Sequence, residues 1–207
     1  MKTKERILQE ALQLFAKNGY MATSMSDIAK QLNITKPALY KHYTSKQEIF
    51  DSIIERMNQM DQERAKEYEM PEGTMEEMAE KYIHTSLEKI KTYSEAQFLH
   101  WTEDEFSSAF RRMLTLEQYR SKEMLQLYQQ YLCGGPVSYM ADLFGSMTGR
   151  QEETIQLALE FYSPIYLLYS MYDAADTSEK KMEIRSILKE HIDRFSESER
   201  FIKMFRA

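Results

Sequence analysis

The scarcity of glycine and proline is the feature that most restricts how this chain can fold. Its 207 residues contain six glycines and four prolines, so few positions break a helix or start a tight turn. Apolar residues recur at intervals of three and four, and no segment sustains the alternation with a period of two that is typical of a strand. The sequence therefore predicts an all-α fold of nine or ten helices.

Residues that start and end helices lie close together near the N-terminus. A first helix is predicted from about Thr3 to Gly19, which suits a C-terminal cap. A second helix is predicted after Ser24, in a capping-box pattern. A third is predicted after Thr35, with Pro37 in its first turn, where a missing N–H costs nothing. These three helices are predicted to form a small N-terminal domain.

Longer helices are predicted for the rest of the chain. A fourth is expected from Ser45, with Glu48 completing a capping box, to about Tyr68, before the helix-breaking "MPEGT" sequence. A nearly all-apolar helix that contains Pro164 is expected near the C-terminus. A further capping box, Thr74 to Glu77, is predicted to open the next helix. The segments predicted to be helical are 74–90, 94–101, 109–132 (closed by "CGGP"), a turn or two at 140–147, 152–174 for the apolar helix, and a last helix from residue 178.

Charge is distributed unevenly along the chain. Residues 1–50 carry eight Lys and Arg against four Asp and Glu, whereas residues 51–207 carry nineteen against twenty-nine, for a net charge of -6. A small basic segment joined to a larger acidic one indicates that the basic segment meets a polyanion.

Several classes of function lack their usual residues. Cys133 is the single cysteine, so no internal disulfide and no Cys-based metal site can form. The four histidines show no metal-ligand spacing, and no catalytic or phosphate-loop constellation supports the alternative of an enzyme. No cofactor, metal or catalytic residue is predicted. No apolar run approaches transmembrane length, and the expectation is a cytoplasmic protein without a membrane partner.

The second and third helices have the spacing of a helix-turn-helix. The sequence "NITKPALYKHYTSK" (residues 33–46) holds three lysines, two tyrosines and a histidine. Leu39 is expected to face inward, and lysine and tyrosine side chains suit phosphate contact. The alternative is a basic, solvated helical surface. The positions expected to face outward or to the flanks are Lys36, Ala38, Tyr40, Lys41 and His42.

The stretch "ILQEALQLFAKNGYMATSMSDIAKQLNITKPALYKHYTSKQEIF" (residues 7–50) resembles the N-terminal domain of the TetR (tetracycline-repressor) family of bacterial transcription regulators. It follows the family's A-x-x-L-F-x-x-x-G-[FY], T-[ST]-x-x-[DE]-I-A and L-Y-x-[HY]-[FY]-x-[ST]-K patterns. Asn33 stands where the family usually has glycine, and asparagine tolerates positive φ. The resemblance implies phosphate contacts from Ser24, Ser26, Thr35, Tyr40 and Lys46, and base-edge or mixed contacts from Lys36, Pro37, Ala38, Lys41 and His42.

The resemblance also implies two domains. Residues 1–46 would be the helix-turn-helix DNA-binding domain, and residues 47–207 a helical domain for ligand binding and dimerisation. Fifteen methionines and fourteen tyrosines would suit an aromatic or lipophilic inducer, whose identity no motif gives. The alternative is that these side chains fill an ordinary core. The candidate lining residues are Phe98, Trp101, Phe110, Tyr128, Tyr162 and Tyr166.

A homodimer is predicted from the C-terminal helices. The apolar segment 154–172 needs cover on both faces, and with 178–195 it could form half of a four-helix bundle between subunits, as the resemblance implies. The alternative is a central core helix within one subunit. The predicted function is a repressor that binds a palindromic operator in double-stranded DNA and is released by a small inducer. The alternative is a DNA-binding regulator controlled by a protein partner.

Overall fold

The computed structural model describes residues 3–148 and 153–205, and within these two ranges the chain is helical and contains no strand. This confirms the predicted all-α class. The described residues form twelve helices, more than the nine or ten predicted. They are α1 (Thr3–Asn18), α2 (Met25–Gln31), α3 (Lys36–Tyr40), α4 (Lys46–Glu67), α5 (Met75–Ile83), α6 (Leu87–Glu103), α7 (Glu105–Glu117), α8 (Lys122–Leu132), α9 (Gly134–Thr148), α10 (Thr154–Ala174), α11 (Ser178–Ser196) and α12 (Glu199–Phe205).

The predicted caps define the starts of the early helices. Ser24 and Thr74 each form a reciprocal capping box, and Thr35 accepts the N–H of Ala38. At the start of α4, Ser45 accepts the N–H of Glu48 as predicted. The Glu48 carboxylate, however, accepts from the backbone and hydroxyl of Thr44, so the second half of that box is displaced by one residue.

Two boundaries in the middle of the chain differ from the prediction. The predicted helix 74–90 is interrupted, because α5 ends at Ile83 and α6 begins at Leu87. α6 then continues through the predicted segment 94–101 to Glu103. The predicted helix 109–132 is two helices, α7 and α8. Local caps explain both breaks, because Ser86 and Ser121 each accept the N–H of the residue three positions on. A serine inside an apolar pattern is easily overlooked as a helix start.

The "CGGP" sequence follows the end of α8 at Leu132, as predicted, and a further helix, α9, begins within it, at Gly134. Pro136 lies in the first turn of α9, where its missing N–H has no partner to lose. The predicted turn or two at 140–147 is therefore part of a fifteen-residue helix. Glu152, the predicted start of α10, lies outside the described residues, and α12 was not predicted.

The chain divides into two compact units. The first contains the chain up to Arg64 together with Glu103–Tyr128, and the second contains Ala65–Thr102 together with the chain from Gln129. In the first, α1 packs against α2 and α7, and α2 against α3. In the second, α9 packs against α5, α10 and α12, and α10 against α11. The functional boundary at residues 46 and 47 stays a proposal; it lies at the start of α4.

Two further findings concern the described residues only. None of their helices is long and apolar enough to cross a bilayer. No group of three or more His, Cys, Asp or Glu among them could hold a metal ion.

Candidate DNA-binding site

The turn between α2 and α3 has the backbone that the sequence requires. Asn33 adopts a φ of 55°, the left-handed conformation that asparagine tolerates better than most residues. Its N–H donates to the carbonyl of Lys30, and the N–H of Ile34 donates to that of Ala29. The replacement of the family's usual glycine by asparagine therefore leaves the turn intact.

α3 is anchored by one side and presents the other. Leu39 is fully buried and is the one buried residue of this five-residue helix. Tyr43, just after the helix, is also buried. The outward positions agree with the prediction: Lys36, Pro37, Tyr40 and Lys41 are exposed, and Ala38 and His42 are half-buried.

Lysine and tyrosine share the exposed side of α3. The Lys36 ammonium lies 5.9 Å from the centroid of the Tyr40 ring, within the range of a cation–π contact. Lys4, at the start of α1, lies 5.4 Å from the centroid of the Tyr43 ring and adds a positive charge next to α3. Lys4 was counted in the basic segment, but the sequence alone did not show that the start of α1 lies beside Tyr43.

The N-terminus of α2 carries the predicted serines. Ser24 and Ser26 are exposed. The Ser24 hydroxyl donates to Asp27 at 2.6 Å, and the backbone N–H of Ser24 donates to the same carboxylate at 2.8 Å. These two bonds hold the pKa of Asp27 below its usual value. The Ser24 hydroxyl is thus already engaged in the cap of α2, just as the Thr35 hydroxyl accepts the N–H of Ala38 in the cap of α3. Ser26 is exposed in the first turn of α2.

Lys46 is placed differently from the other predicted contacts. Its ammonium donates to the carbonyls of Tyr20 at 2.6 Å and Thr23 at 2.8 Å, and it lies 3.5 Å from that of Met21. It also lies 4.3 Å from the centroid of the Tyr20 ring. Burial lowers the pKa of Lys46, and the Glu117 carboxylate opposes that shift. Three acceptors match the three N–H donors of an ammonium, so a phosphate would have to displace one of them.

These contacts hold residues 19–23, hereafter the α1–α2 turn. The Tyr20 ring packs against Phe15 and Phe50, with centroids 5.1 and 4.8 Å apart. Its hydroxyl donates to Gln47 at 2.8 Å. Tyr20 was recognised only as a motif position, and its packing shows that it joins α1 to the start of α4.

Lys46→Ala is expected to destabilise the protein more than it changes the salt dependence of DNA binding. It would remove the ammonium from the partly buried carbonyls of Tyr20 and Thr23, at a cost of about 1–3 kcal/mol. The Tyr20 carbonyl would keep the N–H of Thr23 as a donor. Lys41→Ala is the matched control, because Lys41 is exposed. It should leave the melting temperature unchanged and reduce the salt slope by about one. Circular dichroism melts and binding titrations at several salt concentrations test the pair; the opposite ranking would contradict the assignment.

The predicted pocket residues are mostly packed in cores. Phe110 and Tyr128 are buried in the first unit, and Phe98 and Trp101 in the second. Phe98 stacks on Tyr169 with ring centroids 5.3 Å apart. Burial and this stacking suit an ordinary helical core, which was the alternative, and they equally suit the lining of a closed pocket.

The other two pocket candidates lie on α10. The Tyr162 hydroxyl donates to the carbonyl of Leu132 at 3.0 Å, and Tyr166 is exposed. A surface depression of the second unit is lined by other residues, among them Lys66, Met70 and Lys81. The ligand pocket therefore stays a proposal.

The short capped helix α3 exposes lysine and tyrosine, and a tight turn joins it to α2. This is the arrangement of the helix-turn-helix class of DNA-binding proteins. Residues 7–53 match the family model described as bacterial regulatory proteins, tetR family. The N-terminal segment of this chain therefore belongs to the tetR family, as its resemblance predicted. The members of this family are DNA-binding transcription factors and not enzymes.

Two similar regulators match this chain over about fifty residues each. A biofilm operon icaADBC HTH-type negative transcriptional regulator, IcaR of Staphylococcus epidermidis, is 42% identical over 52 residues. These are 25% of this chain, and the match spans 28% of the length of IcaR. IcaR of Staphylococcus aureus strain Newman is 41% identical over 51 residues. The similarity in sequence to these relatives thus extends over about a quarter of this chain.

Solved structures extend the likeness to the whole fold. A TetR-like transcriptional regulator from Rhodococcus sp. RHA1 has a TM-score of 0.62 at 18% identity, covering 92% of this chain and 94% of its own. AmtR of Mycobacterium smegmatis has a TM-score of 0.59 at 14% identity, covering 99% and 91%. The helices outside the N-terminal segment therefore follow the arrangement of TetR-like proteins.

Proposed function

We propose that this protein is a dimeric repressor that binds a palindromic operator in double-stranded DNA and is released from it by a small-molecule inducer. The observation that carries the proposal is the exposed face of α3, with Lys36, Tyr40 and Lys41 outward and Leu39 buried. A helix of this kind enters the major groove while the preceding helix crosses the backbone. Such a protein acts in the cytoplasm, where bacterial DNA lies.

The sign of regulation is proposed from the IcaR similarity. IcaR is described as an HTH-type negative transcriptional regulator, and it is 42% identical to this chain over 52 residues. A repressor needs only to occupy its operator and block transcription. A reporter gene placed behind a bound operator should therefore be less active when this protein is present, and more active if the protein is an activator.

A homodimer is supported by the surface of α10. Four of its large apolar side chains are exposed: Ile155, Leu159, Leu167 and Met171. They recur at intervals of four and eight residues and thus lie along one side of the helix, and exposed Tyr166 adjoins them. On α11, which packs against α10, Met182 and Ile187 are also exposed. An apolar surface of this kind is typical of a helical subunit interface.

The inducer is proposed to bind in the 47–207 domain and to favour a state in which the two recognition helices no longer match successive major grooves. A ligand can act in this way only through different affinities for the two states. The continuous α4, from Lys46 to Glu67, would carry the change. The alternative is control by a protein partner. An operator affinity that no bound small molecule changes would favour this alternative.

Selection of bound sequences from a random duplex pool tests the proposal. The purified protein should enrich an inverted repeat, with two or four subunits on each selected duplex. Enrichment of a half-site with one bound subunit would contradict binding as a dimer with paired recognition helices. Failure to enrich any sequence would contradict specific DNA binding. If a duplex is selected, it becomes the probe for an inducer screen.

Lys36→Ala is expected to change sequence preference rather than general affinity. Lys36 is exposed at the start of α3, the end of a recognition helix that contacts base edges. Losing a base contact should cost about 1–3 kcal/mol on the selected duplex and little on others. Tyr40→Phe is the comparison, since the resemblance implies that the exposed Tyr40 contacts a phosphate, and a phosphate contact acts on all sequences alike. Repeating the selection with both variants measures the difference, and equal effects on every duplex would contradict the division of roles.

A further inference from the structure

A buried carboxylate from α7 reaches the backbone of the α1–α2 turn. Glu117 lies in the last turn of α7 and is fully buried. Its Oε1 accepts the backbone N–H of Tyr20 at 3.2 Å, across 97 positions of sequence. The guanidinium Nε of Arg120 lies 3.5 Å from the same oxygen. Glu117 lies outside the segment 7–53 that matches the family model, and no sequence motif pointed to it.

Gly19 makes this approach possible. It adopts a φ of 92°, and a Cβ at this position would lie 2.5 Å from the Glu117 Oε1. A side chain at residue 19 would therefore be strained in backbone and would collide with the carboxylate. The glycine was predicted as a helix cap; the structure shows that it also leaves the space through which the carboxylate reaches the turn.

Glu117 and Lys46 both bind the backbone of the α1–α2 turn, one as a hydrogen-bond acceptor and the other as a donor. The carboxylate accepts the N–H of Tyr20, while the ammonium donates to the carbonyls of Tyr20 and Thr23. The carboxylate also favours the charged form of Lys46, opposing the lowering of its pKa by burial. The next residue after the turn is Ser24, the N-cap of α2. The turn therefore connects α7 to the start of α2 and the start of α4.

A contribution to folding stability does not by itself explain why residue 117 is a buried carboxylate. The second oxygen of Glu117, Oε2, is buried and has no hydrogen-bond partner. Burying a charged carboxylate that is incompletely paired is costly, and neutral packing of similar volume is often as stable or more stable. What the charge provides at this place is a strong, directed acceptor for a backbone N–H and a counter-charge for Lys46.

We propose that Glu117 is a positioning residue for DNA binding, which sets the α1–α2 turn and thereby the N-termini of α2 and α4 against the DNA backbone. The inference rests on the proposed function, because it assumes that these N-termini meet phosphates. It also makes the end of α7 a point at which a change in the rest of the protein would reach the DNA-binding face.

The test is the binding of Glu117→Gln to the selected duplex, measured by fluorescence anisotropy at a temperature well below the melting transition. The variant keeps the size of the side chain and removes its charge. We expect about a tenfold loss of affinity, the usual scale for weakening a hydrogen bond to a charged group. Removing a negative charge should by itself favour binding to a polyanion. A loss of affinity would therefore indicate a positioning role, because the change in net charge alone would raise the affinity.

Glu123→Gln is the matched control. Glu123 is exposed on α8. Burial raises the pKa of the Tyr20 phenol, and the charge of Glu123 adds to that shift. Glu123→Gln makes the same change in net charge, while Glu117 keeps its hydrogen bond to the N–H of Tyr20. Its affinity for the duplex should stay within twofold of the unchanged protein, or rise slightly.

Glu117→Asp is the second variant, which retains the charge but withdraws the carboxylate by one methylene. It should lose affinity by roughly threefold, because a longer hydrogen bond is weaker, and it keeps the question answerable if Glu117→Gln does not fold. Full affinity in a folded Glu117 variant, even with a lowered melting temperature, would overturn the positioning role. So would equal losses in Glu117→Gln and Glu123→Gln. Failure of the unchanged protein to prefer any duplex would instead refute the proposed function.

Discussion

Leu167→Glu is expected to convert the dimer to a monomer and to weaken operator binding by at least about 100-fold. Leu167 is 60% exposed on the apolar side of α10, where a pair of two-fold-related charges would be buried in the proposed interface. Binding of two linked half-sites exceeds binding of either alone by about 10² to 10⁴. The monomer should keep its weak, nonspecific binding, because the basic surface is untouched.

Sedimentation and DNA titration of the same sample measure both effects. Leu125→Glu is the control, since Leu125 is an exposed leucine of α8 outside the proposed interface, and it should remain dimeric with full affinity. A Leu167→Glu protein that stays dimeric would show that subunits associate through another surface. A monomer with unchanged affinity would show that paired recognition helices are not needed.

Leu39→Ala is expected to remove specific DNA binding through loss of the anchor of α3. Its side chain is fully buried and is the one that holds this five-residue helix against the rest of the first unit. Truncating a buried leucine costs about 2–5 kcal/mol, and a helix of five residues has no stability of its own. The outward residues of α3 would then lose their common orientation even where the remaining helices persist.

Urea titration and the selected duplex measure this effect. Leu87→Ala is the control, because Leu87 is substantially exposed at the start of α6, and its truncation should change stability by less than about 0.5 kcal/mol. Preserved stability in Leu39→Ala would contradict the anchoring role. Preserved sequence preference, despite lost stability, would mean that α3 does not need this anchor to read DNA.

The early helices could be predicted because their ends depend on neighbouring residues. The Ser24 and Thr74 boxes and the Thr35 cap join groups three positions apart, so the sequence pattern contains both partners. The same reasoning overlooked Ser86 and Ser121, whose caps interrupt apolar patterns that continue across them. Periodicity indicates which face is apolar, but a continuing pattern does not show that the helix itself continues.

The recognition face was likewise available from local signals. Once α3 is a helix with Leu39 inward, the directions of Lys36, Tyr40 and Lys41 follow from helical geometry. The inducer-pocket residues had no such signal. An aromatic side chain in a helical pattern suits a core as well as a cavity, and Phe98 shows this by stacking on Tyr169.

By itself the sequence determined the helical class, the capped helix-turn-helix and the outward face of α3, because each depends on residues within one or two turns of one another. Tertiary structure alone decided that Lys46 donates into the α1–α2 turn and that Glu117 approaches Tyr20 from 97 positions away. It also decided which side of the apolar α10 stays exposed. These contacts depend on how distant helices pack, and the pattern of any one helix does not contain its partner.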